Sequence, residues 1–310
     1  MRDNLRFWRR GIFVLSLAAM LPSGAAESVK GFFEGGAKMI CLASRGREQM
    51  FGAVFVSPAG RVAVVDGGSV SAGAALADVL KDLGGRVDYW FVTHYHDDHY
   101  GALYRMMTDF PERLPKVGEL HYAFPPDDWI RAHEPSAAGV GGNFRSQLLK
   151  HKIYPRPLRQ GEVYDLGGGT TFEVLNGYDL SLTENALNNA SICLSVRHGG
   201  RTLLVTGDLG EKGGERLLGL IPEKLPHDVV FAAHHGSAGV GKSFYAAVKP
   251  KAVIWPTTDW LWENDAGAGV PGKSKGPGSG TFQTNFVKGW FQELGVRRHY
   301  VLDKADLVFE

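Results

Sequence analysis

The six positions from His94 to His99 constrain most of what this chain can become. A compact apolar run, Val87 to Val92, leads straight into Thr93-His94-Tyr95-His96-Asp97-Asp98-His99. The run reads as a buried strand. On an extended segment residues two apart face the same side, so His94 and His96 share a face. Asp98 continues that alternation, and His99 turns in where a helix begins. Core packing does not account for three imidazoles and a carboxylate this close together, because an unpartnered buried polar group costs roughly 1–3 kcal/mol. As a donor set they suit zinc, iron, manganese or nickel better than calcium or magnesium. The mouth of a strand is also where a rigid sheet presents polar groups to solvent.

The rest of the chain supplies a frame of sheets. Ala53–Val56 and Val62–Val65, split by the turn residues Pro58-Ala59-Gly60, predict a hairpin that runs into Asp66-Gly67-Gly68. Leu76, Val79, Leu80 and Leu83 recur at helical spacing and stop at Gly84-Gly85. A further helix starts near Gly101. Residues 110–161 read as an elaborated loop region with one helix near Asn143–Lys150. Strands are expected at 163–166, 171–175, 192–196, 202–206, 228–232, 252–255, 298–302 and 307–309. Helices are expected at 211–220 and 286–294. The stretch 265–280, rich in Gly and Lys, predicts a mobile loop. No internal repeat is evident, and the mixture argues for sheets with helices packed outside them.

Composition narrows the setting. Formal net charge is +1 over 310 residues with no long basic run, so a nucleic-acid partner held by bulk charge is not indicated. Arg2, Arg6, Arg9 and Arg10 precede an apolar run, Gly11–Leu21, that is shorter than the ~20 residues a membrane span needs. Pro22-Ser23-Gly24-Ala25-Ala26 then offers small residues, so residues 1–26 are expected to be a signal peptide cleaved after Ala25 or Ala26. This predicts a periplasmic or secreted protein without a stable membrane span, with residues 27–310 as its single domain. Cys41 and Cys193 both lie in apolar strand-like runs, where a bridge and two buried free thiols are equally consistent. Neither belongs to a Cys-x-x-Cys pattern, which disfavours a thiolate zinc site.

Thr-His-x-His-x-Asp-His after a strand resembles the signature of the metallo-β-lactamase superfamily. The resemblance covers about residues 40–310 and implies an αββα sandwich, two mixed sheets with helices on the outer faces. Asp66 matches an early Asp that buttresses the His loop. Asp208, in Thr206-Gly207-Asp208, matches a carboxylate shared by two metals. His234-His235-Gly236-Ser237 matches the late His. Asn188-Asn189-Ala190-Ser191 stands where many members carry a third His for the first metal. The last two patterns resemble the branch of extracellular domains in DNA-uptake competence proteins and the related phosphorylcholine esterases. Gly278-Ser279-Gly280-Thr281-Phe282-Gln283 departs from that branch, which often has a His before the last helix.

Carried over residue by residue, the resemblance implies one metal held by His94, His96 and Asp208. A second would be held by Asp98, His99, Asp208 and either His235 or His234, the other late His orienting substrate. Asp66 would fix the tautomer of a ligand His, while Asn188 and Ser191 would leave the first metal open. Two zinc ions are expected, with manganese or iron as alternatives. Ions about 3.5–4 Å apart hold an attacking hydroxide at neutral pH, and Asp98 and Asp208 would be the catalytic carboxylates. The expected activity is hydrolysis of a small-molecule or cell-envelope phosphoester. The competing readings are a β-lactam or lactone hydrolase, and a binding protein that kept the fold. Trp255, Trp260 and Trp262 either wall a ring or quaternary ammonium, or simply pack.

Overall fold

The central strands are buried on both faces because each sheet is covered on both sides. In a computed structural model, which describes residues 26–267, 270 and 272–310, two mixed sheets lie face to face. The expected signal peptide, except for Ala26, lies outside the described residues. The first sheet is built from β1 (Glu27–Val29), β2 (Lys38–Cys41), β3 (Gly52–Val56), β4 (Val62–Asp66), β5 (Arg86–Val92), β6 (Lys116–Tyr122) and β7 (Arg156–Pro157). The second holds β8 (Val163–Gly167), β9 (Thr170–Val174), β10 (Leu194–His198), β11 (Arg201–Val205), β12 (Val229–Phe231), β13 (Ala252–Trp255) and β14 (Arg298–Val301). The last strand, β15 (Leu307–Phe309), returns to the first sheet between β1 and β2.

Strand β4 shows the logic. Ala63 and Val65 face the layer between the sheets, while Val62 and Val64 face outward. In β12, Val229 and Phe231 point inward and Val230 outward. A strand covered on both faces reads as an unbroken apolar run. The outer face of the first sheet is covered by α1 (Gly73–Asp82), α2 (Asp97–Asp109), α3 (Asp127–His133) and α4 (Pro135–Lys150). A short α5 (Ala186–Asn189) precedes β10. The second sheet's outer face is covered by α6 (Glu211–Leu220), α7 (Lys242–Val248) and α9 (Thr284–Glu293), with α8 (Asp259–Trp262) between the last two in sequence. This is the αββα sandwich expected from the sequence. Among the described residues no helix is long and apolar enough to cross a membrane.

Both sheets pass from antiparallel hairpins to parallel strands, and the carboxyl ends of β4, β5, β11, β12 and β13 share one edge. There the Ile192 N–H donates to Thr93 O (3.0 Å) and the His234 N–H to Gly207 O (3.2 Å). Phe51 and Phe231 meet beneath that edge, ring centroids 5.1 Å apart, and join the two sheets. Carboxyl ends of parallel strands are where α/β sheets collect ligands.

Several expectations are corrected. Residues 110–161 hold β6, β7, α3 and a sixteen-residue α4 rather than irregular loop. Gly118 hid β6: a Cβ there would lie 2.8 Å from Asp88 O, so close backbone approach demands glycine inside the strand. The helix expected near Gly101 starts at Asp97. The described part of 265–280 folds around buried Asp265, whose Oδ1 accepts the N–H groups of Lys275 (2.9 Å) and Gly276 (3.0 Å). Trp255 is fully buried, and Trp262 packs against it at 5.2 Å between centroids, so these two make no substrate wall. Cys41 and Cys193 are free buried thiols, and burial raises both above ordinary thiol pKa values, Cys193 to about 12.

Candidate metal centre

The site grows from the end of β4. Asp66 is fully buried and left-handed (φ 60°), a conformation that Asp tolerates better than most residues. Its Oδ1 accepts the Thr93 N–H (2.7 Å), and its Oδ2 accepts Thr93 Oγ1–H (2.9 Å) and His99 Nδ1–H (2.8 Å). The Trp90 indole donates to the Asp66 carbonyl (2.9 Å). Asp66 therefore fastens the turn after β5. His96 remains extended (φ −107°, ψ 144°), and Asp97 and Asp98 enter the first turn of α2, where carboxylates complement the helix dipole. His99 follows one position later, facing back to Asp66.

The outward nitrogen of every imidazole is tied to an acceptor. His99 Nδ1 has Asp66, and His235 Nδ1 has the Pro256 carbonyl (3.0 Å). His96 Nε2 donates to Glu134 Oε1 (2.6 Å). Thr93 Oγ1 spends its proton on Asp66, so it accepts from His94 Nδ1 (3.2 Å). A neutral imidazole has one N–H, so all four inward nitrogens present lone pairs. These converge on carboxylates, which also only accept. His94 Nε2 and His96 Nδ1 are 3.1 Å apart. His99 Nε2 is buried without a hydrogen bond and lies 3.2 Å from Asp208 Oδ1. His235 Nε2 lies 3.0 Å from Asp98 Oδ2 and 3.2 Å from Asp208 Oδ2.

Lone pairs facing lone pairs require cations between them. Without metal, protons serve. Burial opposes charging His99 and His235, but the surrounding carboxylates outweigh it, raising His99 well above its ordinary pKa and His235 to about 10. Burial likewise opposes ionising Asp208, yet His235 and His99 hold it well below the carboxylate range. His94 is pushed well below the usual imidazole value by burial and then by its charged neighbour His99. Two groups of donors lie within reach of a single ion: His94, His96 and Asp208, and Asp98, His99, Asp208 and His235. Asp208 belongs to both. Each of the two overlapping groups has the donors to hold a metal ion.

The structure brings His235 into this cluster and leaves His234 at its rim. His234 Nε2 stands 4.0 Å from Asp208 Oδ2 and is partly exposed, with its Nδ1–H on the Ser237 carbonyl. Ser191 is buried beside the cluster, its Oγ accepting the Asp208 N–H (3.2 Å). Asn188 is buried in α5 with its Oδ1 unpartnered. Asp208 does not cap α6, because that position belongs to Gly210. Sequence reasoning missed Glu134 and the Pro256 carbonyl. Neither carries a local signal, since both reach the site only through the tertiary fold.

His234 (φ 51°), His235 (φ 56°) and Gly236 (φ 82°) are left-handed in succession, the kind of backbone strain that gathers at functional sites. A Cβ on Gly236 would sit 2.4 Å from the Trp255 ring. Gly236→Ala is expected to cost about 2–5 kcal/mol in urea unfolding, combining overpacking with an unfavourable φ. A loss under about 1 kcal/mol would show that the turn relaxes freely.

Comparison with known proteins places this geometry. Over 68 residues, 22% of this chain, the sequence is 35% identical to ComE operon protein 3 of Bacillus subtilis (strain 168). The match spans 9% of that relative's length. Among solved structures, the metallo-beta-lactamase fold protein YhfI from Bacillus subtilis aligns over 89% of this chain and 100% of its own. The TM-score is 0.52 at 14% identity, a likeness of fold. Residues 53–254 match the metallo-beta-lactamase superfamily. That match runs from β3 into β13 and takes in every histidine and aspartate of the cluster; the chain belongs to the metallo-beta-lactamase superfamily.

Proposed function

We propose that this chain is a metal-dependent phosphoester hydrolase that works outside the cytoplasm on a small-molecule or cell-envelope substrate. Two zinc ions are its proposed resident metals, with manganese or iron as alternatives. The observation that carries the reading is the set of four inward imidazole nitrogens facing two carboxylates, each imidazole fixed from behind. His94, His96 and Asp208 would hold one ion, and Asp98, His99, Asp208 and His235 the other. Ions held there supply Lewis acidity toward a phosphoryl oxygen and lower the pKa of water.

The residues themselves set the selectivity. One donor group has only three ionisable ligands, and by the family resemblance Asn188 and Ser191 stand where many members carry a third imidazole. That would leave one coordination position open to a phosphoryl oxygen, which favours phosphoesters over β-lactams. His234, at the rim, orients the substrate. Phe51, with its ring 6.2 Å from His99, closes the inner side with apolar surface. The extracytoplasmic assignment rests on the Arg-rich head, apolar run and small residues of 1–26.

Purified protein should carry two equivalents of metal and turn over bis-p-nitrophenyl phosphate or p-nitrophenylphosphorylcholine, but not nitrocefin. Hydrolysis of nitrocefin alone would make it a lactam hydrolase. Two bound ions with no turnover would make it a binding protein. The exported protein should begin at residue 26 or 27.

A further inference from the structure

Of the four imidazoles in the cluster, His94, His99 and His235 are held by burial, with side chains at most 1% exposed. His96 is different: its side chain is 23% exposed, and Glu134 on its Nε2 is the contact that fixes its ring.

Glu134 is the single residue between α3 and α4. Its N–H donates to Ile130 O (2.7 Å), and Ile130 is fully buried. The adjoining α4 is anchored to α2 by Phe144, which stacks on Tyr100 with centroids 4.3 Å apart. The carboxylate is therefore presented from a rigid support fixed to the helix that carries Asp98 and His99. Both of its oxygens are used. Oε1 accepts His96 Nε2–H at 2.6 Å, and Oε2 accepts the Leu187 N–H at 3.1 Å, immediately before Asn188.

We propose that Glu134 is a positioning residue for one ion of the pair: by gripping His96 Nε2–H it turns the bare Nδ1 toward His94 Nε2 and Asp208, and by gripping Leu187 it sets α5 alongside. This deepens the metal reading and rests on it. It makes the α3–α4 segment part of the centre, although that segment contributes no ligand. Orienting partners of a ligand histidine change metal affinity by roughly 10–100-fold.

The test is a competition titration of Zn²⁺ into chelated full-length protein with a chromophoric chelator, repeated with Co²⁺ to read each site's absorption. In Glu134→Ala, one of the two ions should weaken about 10–100-fold while the other stays within about twofold. Glu134→Gln offers one acceptor oxygen to two donors, so it should fall between Ala and wild type. If both ions keep their affinity in Glu134→Ala, the proposal is overturned. It is equally overturned if both weaken alike together with a lower melting temperature of the metal-free protein, which marks a general brace. Wild-type protein that binds no ion at all sinks the metal reading itself, a result distinct from either.

Discussion

Asp208→Ala should strip both proposed ions from the protein and lower the proposed phosphoesterase activity by at least about 10³-fold, the scale of several kcal/mol of transition-state charge stabilisation. Among the described residues no other side chain belongs to both donor groups. Its Oδ1 is 3.2 Å from His99 Nε2, and its Oδ2 is 3.2 Å from His235 Nε2 and 3.9 Å from His94 Nε2. Removing it leaves one group with two imidazoles and the other without its shared anion. The backbone should survive, because the Ser191 hydroxyl bonds the residue 208 N–H, which the substitution retains. Metal analysis and turnover of bis-p-nitrophenyl phosphate read the outcome. Asp98→Ala is the contrast: it touches one group only and should leave one ion in place. A protein lacking Asp208 that still bound two ions would refute the shared-ligand geometry.

Asp66→Ala should have the largest effect on the fold itself, about 3–5 kcal/mol in urea unfolding of chelated protein, the usual cost of removing one partner from a buried charged pair. Three donors lose their acceptor together: the Thr93 N–H, the Thr93 hydroxyl and His99 Nδ1–H. None can turn to water, since Thr93 and His99 are both fully buried. Alanine is also less tolerant of the left-handed backbone at this position. Asp66→Asn keeps that tolerance and one acceptor oxygen, so it should lose less. Chelation matters to the measurement, because bound metal would add its own stabilisation to the folded state. A loss below about 1 kcal/mol would mean that Asp66 is an ordinary turn residue.

Much of this was legible in the linear chain because it obeys local rules. The β3–β4 hairpin, β5, α1 and the second-sheet strands announce themselves through apolar periodicity and turn residues. The His94–His99 segment declares its donors by spacing, and the structure gathers Asp66, Asp208 and His235 around it as the family resemblance implied. What stayed hidden was decided by contacts distant in sequence. Strand β6 contains Lys116, Gly118 and Glu119, which read as loop until Asp88 is seen pressing on the glycine. Helix α4 includes Gly139, Gly141 and Gly142, poor helix formers, and gains its stability from Phe144 and Leu148 in the core. Glu134 looked like any acidic residue before a proline. Choosing between His234 and His235 required the left-handed turn that points their rings differently.

The cluster is divided between two stretches of polymer that form separate layers. Residues up to Pro157 build seven of the first sheet's strands and carry His94 through His99, whereas Asp208 and His235 hang from the other sheet. A nascent chain therefore has half a centre until its later half has been delivered and the layers have closed on each other. Cation uptake should be a late step in maturation, and a loaded molecule is one whose assembly is already finished.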